Sequence, residues 1–314
     1  MDGRAANNRL FGGGAVIETF DIALPHGITL SCRAAGPTDA PVLLFLHGFP
    51  EAAFVWDELL QHFGQRYRCV APNLRGFERS SSPAEVEAYR VKHLTADLVA
   101  LVAHLGGQLA ALIAHDWGGA LAWTFAAQHP NALRRLVIIN APHPATFLRE
   151  LQRNPVQQAA SAYMNFLCRP DAEELLSAND FARLWPFFEN MGAADSTRPG
   201  GGWLTEEVRA QYRAVWRAGL RGGCNYYRAS PLRPASEPDS TLMQLSFPAE
   251  LVTIRVPTLV LWAEADTALP VALLDGLERY VPVMRLVRVP LASHWIVHEQ
   301  PARLIGEIER ELAV

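Results

Sequence analysis

The sequence predicts an α/β fold: a mostly parallel central sheet with helices on both faces and a helical segment inserted late in the chain. Three observations predict it. Short apolar runs, Val42 to Leu46, Arg68 to Ala71, Leu109 to Ala114 and Leu133 to Ile139, alternate with stretches of helical period. Strands that are apolar on both faces belong to parallel sheets buried between helices. The alternation then stops from residue 144 to residue 248, where the chain is helical or loop-like and rich in aromatics and arginine. It resumes with Val256 to Trp262, a helix near Val271 to Tyr280, the strand Met284 to Val289 and a last helix from Pro301. The expected domains are a core of residues 1–143 and 249–314 and a helical cap of residues 144–248.

The remaining elements follow in order. Val16 to Leu24 and Ile28 to Ala35 flank the turn Pro25-His26-Gly27, as in a β-hairpin. Val91, Leu94, Leu98, Leu101 and Leu105 recur at helical spacing, and the run closes at Gly106-Gly107, as a helix C-terminus should. Inside the inserted segment, Arg198-Pro199-Gly200-Gly201-Gly202 has no period from which a path can be read.

Composition narrows the partners. With 314 residues, half of them hydrophobic, the chain can bury one large core or a core plus a lid. A net charge of −4 with dispersed signs provides no basic stripe, which excludes nucleic acid and anionic membranes as expected partners. Arg4 and Arg9 surround a polar stretch ending in Gly12-Gly13-Gly14, with no apolar run of signal or spanning length, so a cytoplasmic location is expected. Cys32, Cys69, Cys168 and Cys224 are far apart and lack metal-ligand spacing, which reads as reduced thiols and no metal site. The ligand expected is small, on a monomer or homodimer.

The most informative segment is Leu112 to Gly119, an apolar strand running into a glycine-rich turn and then a helix, with Asp116 at the turn. Such an elbow exposes its central side chain at the carboxyl end of a parallel sheet, and small neighbours let strand and helix backbones pass closely. A carboxylate in that place suits displacement at an alkyl carbon bearing a leaving oxygen or halogen, giving an ester on the protein. A simple helix N-cap is the plainer reading of Asp116.

Four motifs, in this order and spacing, carry a family resemblance over nearly the whole chain: His47-Gly48-Phe49-Pro50-Glu51, His115-Asp116-Trp117-Gly118-Gly119, Asn225-Tyr226-Tyr227-Arg228, and Asp266 with Ser293-His294-Trp295. The chain resembles α/β-hydrolases of the epoxide hydrolase and haloalkane dehalogenase branch, and most of all a soluble epoxide hydrolase. It departs from the family in having Ala114 before the elbow where glycine is usual. Asn73 and Glu78 also stand where the family loop commonly has aspartate and glycine.

The residues assemble into a chemistry of their own. An alkyl ester on Asp116 persists unless water is activated, and His294, on the loop after the last strand, is the base for that water. Asp266 is placed to hold the other ring nitrogen, with Glu264 as the competing acid; the resemblance also favours Asp266. Negative charge on the Asp116 carbonyl needs backbone donors, for which the amides of Trp117 and Phe49 are expected. The same loops place Trp117, Phe49, His47 and Pro50 as substrate contacts, and Phe49-Pro50 is a candidate cis peptide. Glu51 is read as stabilising its loop, His47 and His115 as bonding within their turns, and His143 and His298 as structural.

The leaving group separates the candidate substrates. An epoxide oxygen leaves as an alkoxide and needs a proton, whereas a halide does not. Tyr227 corresponds to the tyrosine that donates to the ring oxygen in epoxide hydrolases, and Tyr226 would point about 100° away on a helix. Tyr163 follows Val156 and Ala160 at i+7 and i+3, on the inward face of the first cap helix, and is the expected second donor, although a core tyrosine has the same spacing. Phe187, Phe188, Trp203 and Leu232 suggest an apolar cavity. The expected activity is hydrolysis of a small apolar epoxide by water, with no cofactor. Haloalkane dehalogenation with Trp117 as halide donor remains the alternative, and ligand binding without catalysis the less favoured one.

Overall fold

A computed structural model describes residues 14–235 and 241–313. Arg4, Arg9, Gly12 and Gly13 of the amino-terminal stretch lie outside the described residues. Eight strands form one sheet: β1 Glu18–Ala23, β2 Thr29–Ala35, β3 Val42–Leu46, β4 Arg68–Pro72, β5 Ala111–His115, β6 Leu136–Ile139, β7 Thr258–Ala263 and β8 Met284–Val289. Their order is β1-β2-β4-β3-β5-β6-β7-β8. The predicted hairpin is present, pairing Glu18 with Ala34 through Ala23 with Thr29. β2 also runs antiparallel to β4, and every other pairing is parallel.

Side chains alternate across such a sheet, and each face has its own core. In β3, Val42, Leu44 and Leu46 enter one apolar cluster with β5, β6 and the inserted helices. Leu43 and Phe45 enter the other, with Trp56, Leu304 and Ile308. The core helices are α1 Asp57–Phe63, α2 Val91–His104 and α3 Asp116–Gln128. Between β6 and β7 the described chain is helical and without strands: α4 Pro144–Arg153, α5 Pro155–Ala160, α6 Tyr163–Leu167, α7 Ala172–Phe181, α8 Trp185–Glu189, α9 Glu206–Arg217, α10 Arg221–Ala229 and α11 Ala249–Val252. The chain ends with α12 Ile296–Glu299 and α13 Pro301–Leu312.

Two expected elements differ. The helix foreseen from Val271 to Tyr280 is a pair of single 3₁₀ turns, Val271–Leu274 and Leu277–Arg279, because Gly276 between them has a φ of 72°, which no right-handed helix can contain. The single helix meant to carry Val156, Ala160 and Tyr163 is broken after Ala160, and Val156 faces water at 64 % exposure.

Strand order reverses between β3 and β5, and the crevice beyond the carboxyl ends of strands at such a switch point is where open α/β sheets bind ligands. The loop after β4 closes one wall. There the two departures from the family pattern prove to be partners. The Asn73 amide donates to Glu78 Oε2 at 2.9 Å and to Ser31 Oγ at 2.9 Å, Ser31 donates to Glu78 at 2.8 Å, and Asn73 Oδ1 accepts the Ala53 amide at 2.7 Å. Glu78 has a φ of 50°, a region comfortable for the glycine of the family pattern. Asn73→Asp alone should therefore set two carboxylates against each other and lower stability by about 2 kcal/mol. Adding Glu78→Gly should recover most of the loss, a non-additivity measurable by chemical denaturation of the two single variants and the double one. Additive losses would show that the two sites are independent.

Candidate active site

Asp116 is built into the sharpest turn of the core. It follows β5 directly, opens α3 and has a φ of 49°, an unusual value for a non-glycine residue that fits a strained nucleophile elbow. The turn survives because small residues surround it. A Cβ on Gly48 would collide with the Asp116 side chain, and one on Gly118 would lie 2.5 Å from the Leu46 carbonyl. The Phe49 amide donates to Asp116 Oδ1 at 2.7 Å, and the Phe49–Pro50 peptide is cis. First-turn amides of α3, that of Trp117 among them, have no carbonyl of their own helix to bond.

His294 stands opposite. Its Nε2 lies 3.7 Å from Asp116 Oδ2, and its Nδ1 donates to Asp266 Oδ2 at 2.7 Å. Asp266, not Glu264, is thus the acid at the imidazole; Glu264 pairs with Arg288 at 2.6 Å on a more exposed edge. Asp266 accepts three further hydrogen bonds, from the Ala268 and Leu269 amides at 2.8 and 3.0 Å and from Asn140 Nδ2 at 2.9 Å. Burial raises the pKa of Asp266, but the His294 charge and these donors overcome it and hold the carboxyl below its ordinary value. For His294 burial works downward, yet Asp266, then Asp116 and Glu51, lift the imidazole from 6.5 to about 9. Asn140 was not anticipated. Its side chain also accepts the Ala263 amide at 2.7 Å, tying β6 to β7. A polar residue directly after the apolar strand Leu136–Ile139 was the available signal.

A cavity of about 270 Å³ joins Asp116 and His294 to Phe49, Tyr163, Tyr227, Phe187, Trp295 and Met191, with Pro186, Asn190 and Thr267 at its exposed mouth. Tyr227 and Tyr163 meet there with ring centroids 6.0 Å apart. Burial, followed by the charge of Tyr163 and of Asp116, raises the Tyr227 hydroxyl well above 10. Tyr163 is likewise raised, by burial and then by Asp116 and Asp266. Both hydroxyls therefore keep their protons at neutral pH. Of the neighbouring tyrosines only Tyr227 faces the cavity; Tyr226 turns into the core and donates to the Arg75 carbonyl at 3.0 Å. The Trp117 ring packs edge-on against Tyr227 at 5.1 Å and is not among the residues that line the cavity.

Several expected contacts are not made. His47 is fully buried, with Nδ1 donating to the Gly48 carbonyl at 2.9 Å and Nε2 accepting the Leu74 amide at 3.0 Å. Its pKa is pressed down to about 4, mainly by burial, so it is a neutral support of the loop and not a wall of the cavity. Pro50 is absorbed too, its carbonyl accepting the Trp216 indole at 2.7 Å. Phe188 and Trp203 belong to an aromatic cluster with Tyr212, Trp216, Trp295 and His298 behind the cavity, and Leu232 is not among its lining residues.

His115 reaches beyond its own turn. It donates Nε2–H to the His294 carbonyl at 2.9 Å and faces Glu51 Oε2 across 3.2 Å with Nδ1. Glu51 is fully buried and also meets the Tyr212 hydroxyl at 2.8 Å and His298 at 3.1 Å. Burial alone would raise its pKa, but the hydrogen bonds of His115 and His298 bring it well below the usual carboxylate range. The network thus fastens α9 and α12 to the two loops that carry Phe49 and Asp116.

Comparisons with known proteins identify the family. The profile of the α/β hydrolase fold family matches residues 41–301. The chain belongs to the α/β-hydrolase fold family. It is 34 % identical to epoxide hydrolase 4 of Mus musculus, over 90 % of this chain and 76 % of that protein. It is also 34 % identical to the AB hydrolase superfamily protein YfhM of Bacillus subtilis, over 88 % of this chain and 92 % of that one. Among solved structures, the epoxide hydrolase of Bacillus megaterium in complex with an inhibitor superposes with a TM-score of 0.84 at 28 % identity, covering 94 % of this chain and 99 % of the other. Within the family, the chain groups with the epoxide hydrolases.

Proposed function

We propose that the protein hydrolyses a small apolar epoxide to a vicinal diol through an ester on Asp116. The observation that carries this reading is the placement of Asp116, His294 and two protonated tyrosines around one cavity. The Asp116 carboxylate attacks an epoxide carbon while Tyr227, assisted by Tyr163, gives a proton to the departing oxygen. His294 then removes a proton from water, which attacks the ester carbonyl, with Asp266 supporting the imidazolium that forms. The Phe49 and Trp117 amides receive the charge on the carbonyl oxygen, each such donor contributing about 10²- to 10³-fold in rate.

The charges time the two steps. His294 binds its proton tightly partly because the Asp116 carboxylate faces it. Esterification removes that negative charge, so the imidazole holds its proton less tightly in the ester. It is a better base there than in the free protein, although Asp266 continues to raise it. The halide reading is less well supported, because two tyrosine hydroxyl groups line the cavity while Trp117, the expected halide donor, is not among its lining residues. We further read residues 144–248 as a cap over a core of residues 1–143 and 249–314. We also read the protein as a cytoplasmic monomer or homodimer, a location in keeping with its four free cysteines.

The test is direct: purified protein incubated with a styrene-oxide-type epoxide should yield the diol. Absence of diol from a panel of aryl and alkyl epoxides, or faster dehalogenation of a bromoalkane than opening of any epoxide, would overturn the proposal.

A further inference from the structure

We propose that the back-to-back contact of Gly76 and Gly222 is a seat that sets the height of Tyr227 over Asp116, which makes the two glycines positioning residues for ring opening. This rests on the epoxide hydrolase reading of the site. α10 has nine residues and carries two successive glycines, Gly222 and Gly223, although glycine is a poor helix former. The reason is backbone contact. A Cβ on Gly222 would collide with the backbone of Gly76, and a Cβ on Gly76, whose φ is +87°, would lie 2.7 Å from Gly222 Cα and 2.8 Å from the Tyr89 ring. No side chain fits between the helix and the loop.

The following residues of α10 dock on the same loop region. Gly223 faces the Phe49 ring, where an added Cβ would come within 2.9 Å. Asn225 donates to the Ala84 carbonyl at 3.3 Å, and Tyr226 to the Arg75 carbonyl at 3.0 Å. Arg75 is itself immobilised, its guanidinium bonded to both carboxylate oxygens of Asp97 at 2.8 and 2.6 Å and to the Ala88 carbonyl at 2.7 Å. Tyr227 follows five residues after Gly222, about 7.5 Å along the helix. A helix moves as a unit over so short a span, so a methyl group wedged at the seat would lift the hydroxyl away from the reacting oxygen. Proton transfer requires approach to about 2.6–3.2 Å, and a displacement near 1 Å costs on the order of 10²-fold.

The experiment compares single-turnover rates of alkylation, followed by tryptophan fluorescence, with rates of ester hydrolysis. Gly222→Ala should slow alkylation by about 10- to 10²-fold and leave ester hydrolysis unchanged. Gly306→Ala, in α13 where an added Cβ meets nothing within 4 Å, should change neither. The defect should vanish in a Tyr227→Phe background, since a seat that acts through Tyr227 has nothing left to position. Should Gly222→Ala fail to fold, Tyr226→Phe loosens the same docking without added volume, and it should slow alkylation severalfold only where Tyr227 is present. Normal alkylation by folded Gly222→Ala, or the same slowing in the Tyr227→Phe background, would overturn the seat. A wild-type protein that opens no epoxide would instead overturn the functional reading, whatever the glycine variants do.

Discussion

His294→Gln, mixed with an epoxide that the wild type turns over, is expected to gain the mass of one substrate and keep it. Asp116 and the tyrosines remain in place in this variant, so the ester forms. The water that should cleave it has lost its base, a contribution of about 10²- to 10⁴-fold. The same assignment fixes the fate of oxygen in the wild type. One turnover in H₂¹⁸O should put the heavy atom into the Asp116 carboxylate, because water attacks the ester carbonyl and the original carboxylate oxygen departs with the diol. Intact-mass and peptide mass spectrometry read both results. Heavy oxygen in the first-turnover diol, or no trapped adduct, would mean that water opens the ring directly and that His294 has another task.

The second large effect is expected at the paired tyrosines. Tyr227→Phe should slow alkylation substantially, with Tyr163 partly covering for it across the 6.0 Å between their rings. Removing both hydroxyls should nearly abolish ring opening, since a positioned acid contributes about 10²- to 10⁴-fold and the two act on one oxygen. The fold should persist, because each substitution keeps the ring and its packing. Wild-type turnover by the double variant, measured as diol formation, would remove proton donation from the mechanism and direct attention to Trp117 as a halide donor.

These experiments concern residues that the sequence made visible to different degrees. Strands such as Val42–Leu46 were legible because burial on both faces leaves a continuous apolar run. Asp116, Asp266 and His294 were legible because each falls just past a strand end, where topology alone directs it to the crevice. Tyr163 reaches the cavity by a route the sequence did not disclose. Its relation to Val156 assumed one helix, and the chain breaks after Ala160, so the two residues share no face. The contacts of Glu51 escaped for a different reason. Its partners His115, Tyr212 and His298 are distant in sequence, and no local period records a meeting made by tertiary packing. Gly276 ended a foreseen helix because a single left-handed residue outweighs several favourable neighbours.

The bonds from Tyr212 to Glu51 and from Trp216 to the Pro50 carbonyl tie the inserted helices to the loops beneath them through buried groups. Lifting those helices would part the buried Glu51 carboxylate from the Tyr212 hydroxyl and leave the Pro50 carbonyl without its indole donor, a cost that opposes opening. With these helices in place, a substrate is expected to reach Asp116 past the exposed residues Pro186, Asn190 and Thr267. An opening of set width would select by size, so epoxides too bulky for a cavity of about 270 Å³ are expected to be refused while small ones are turned over.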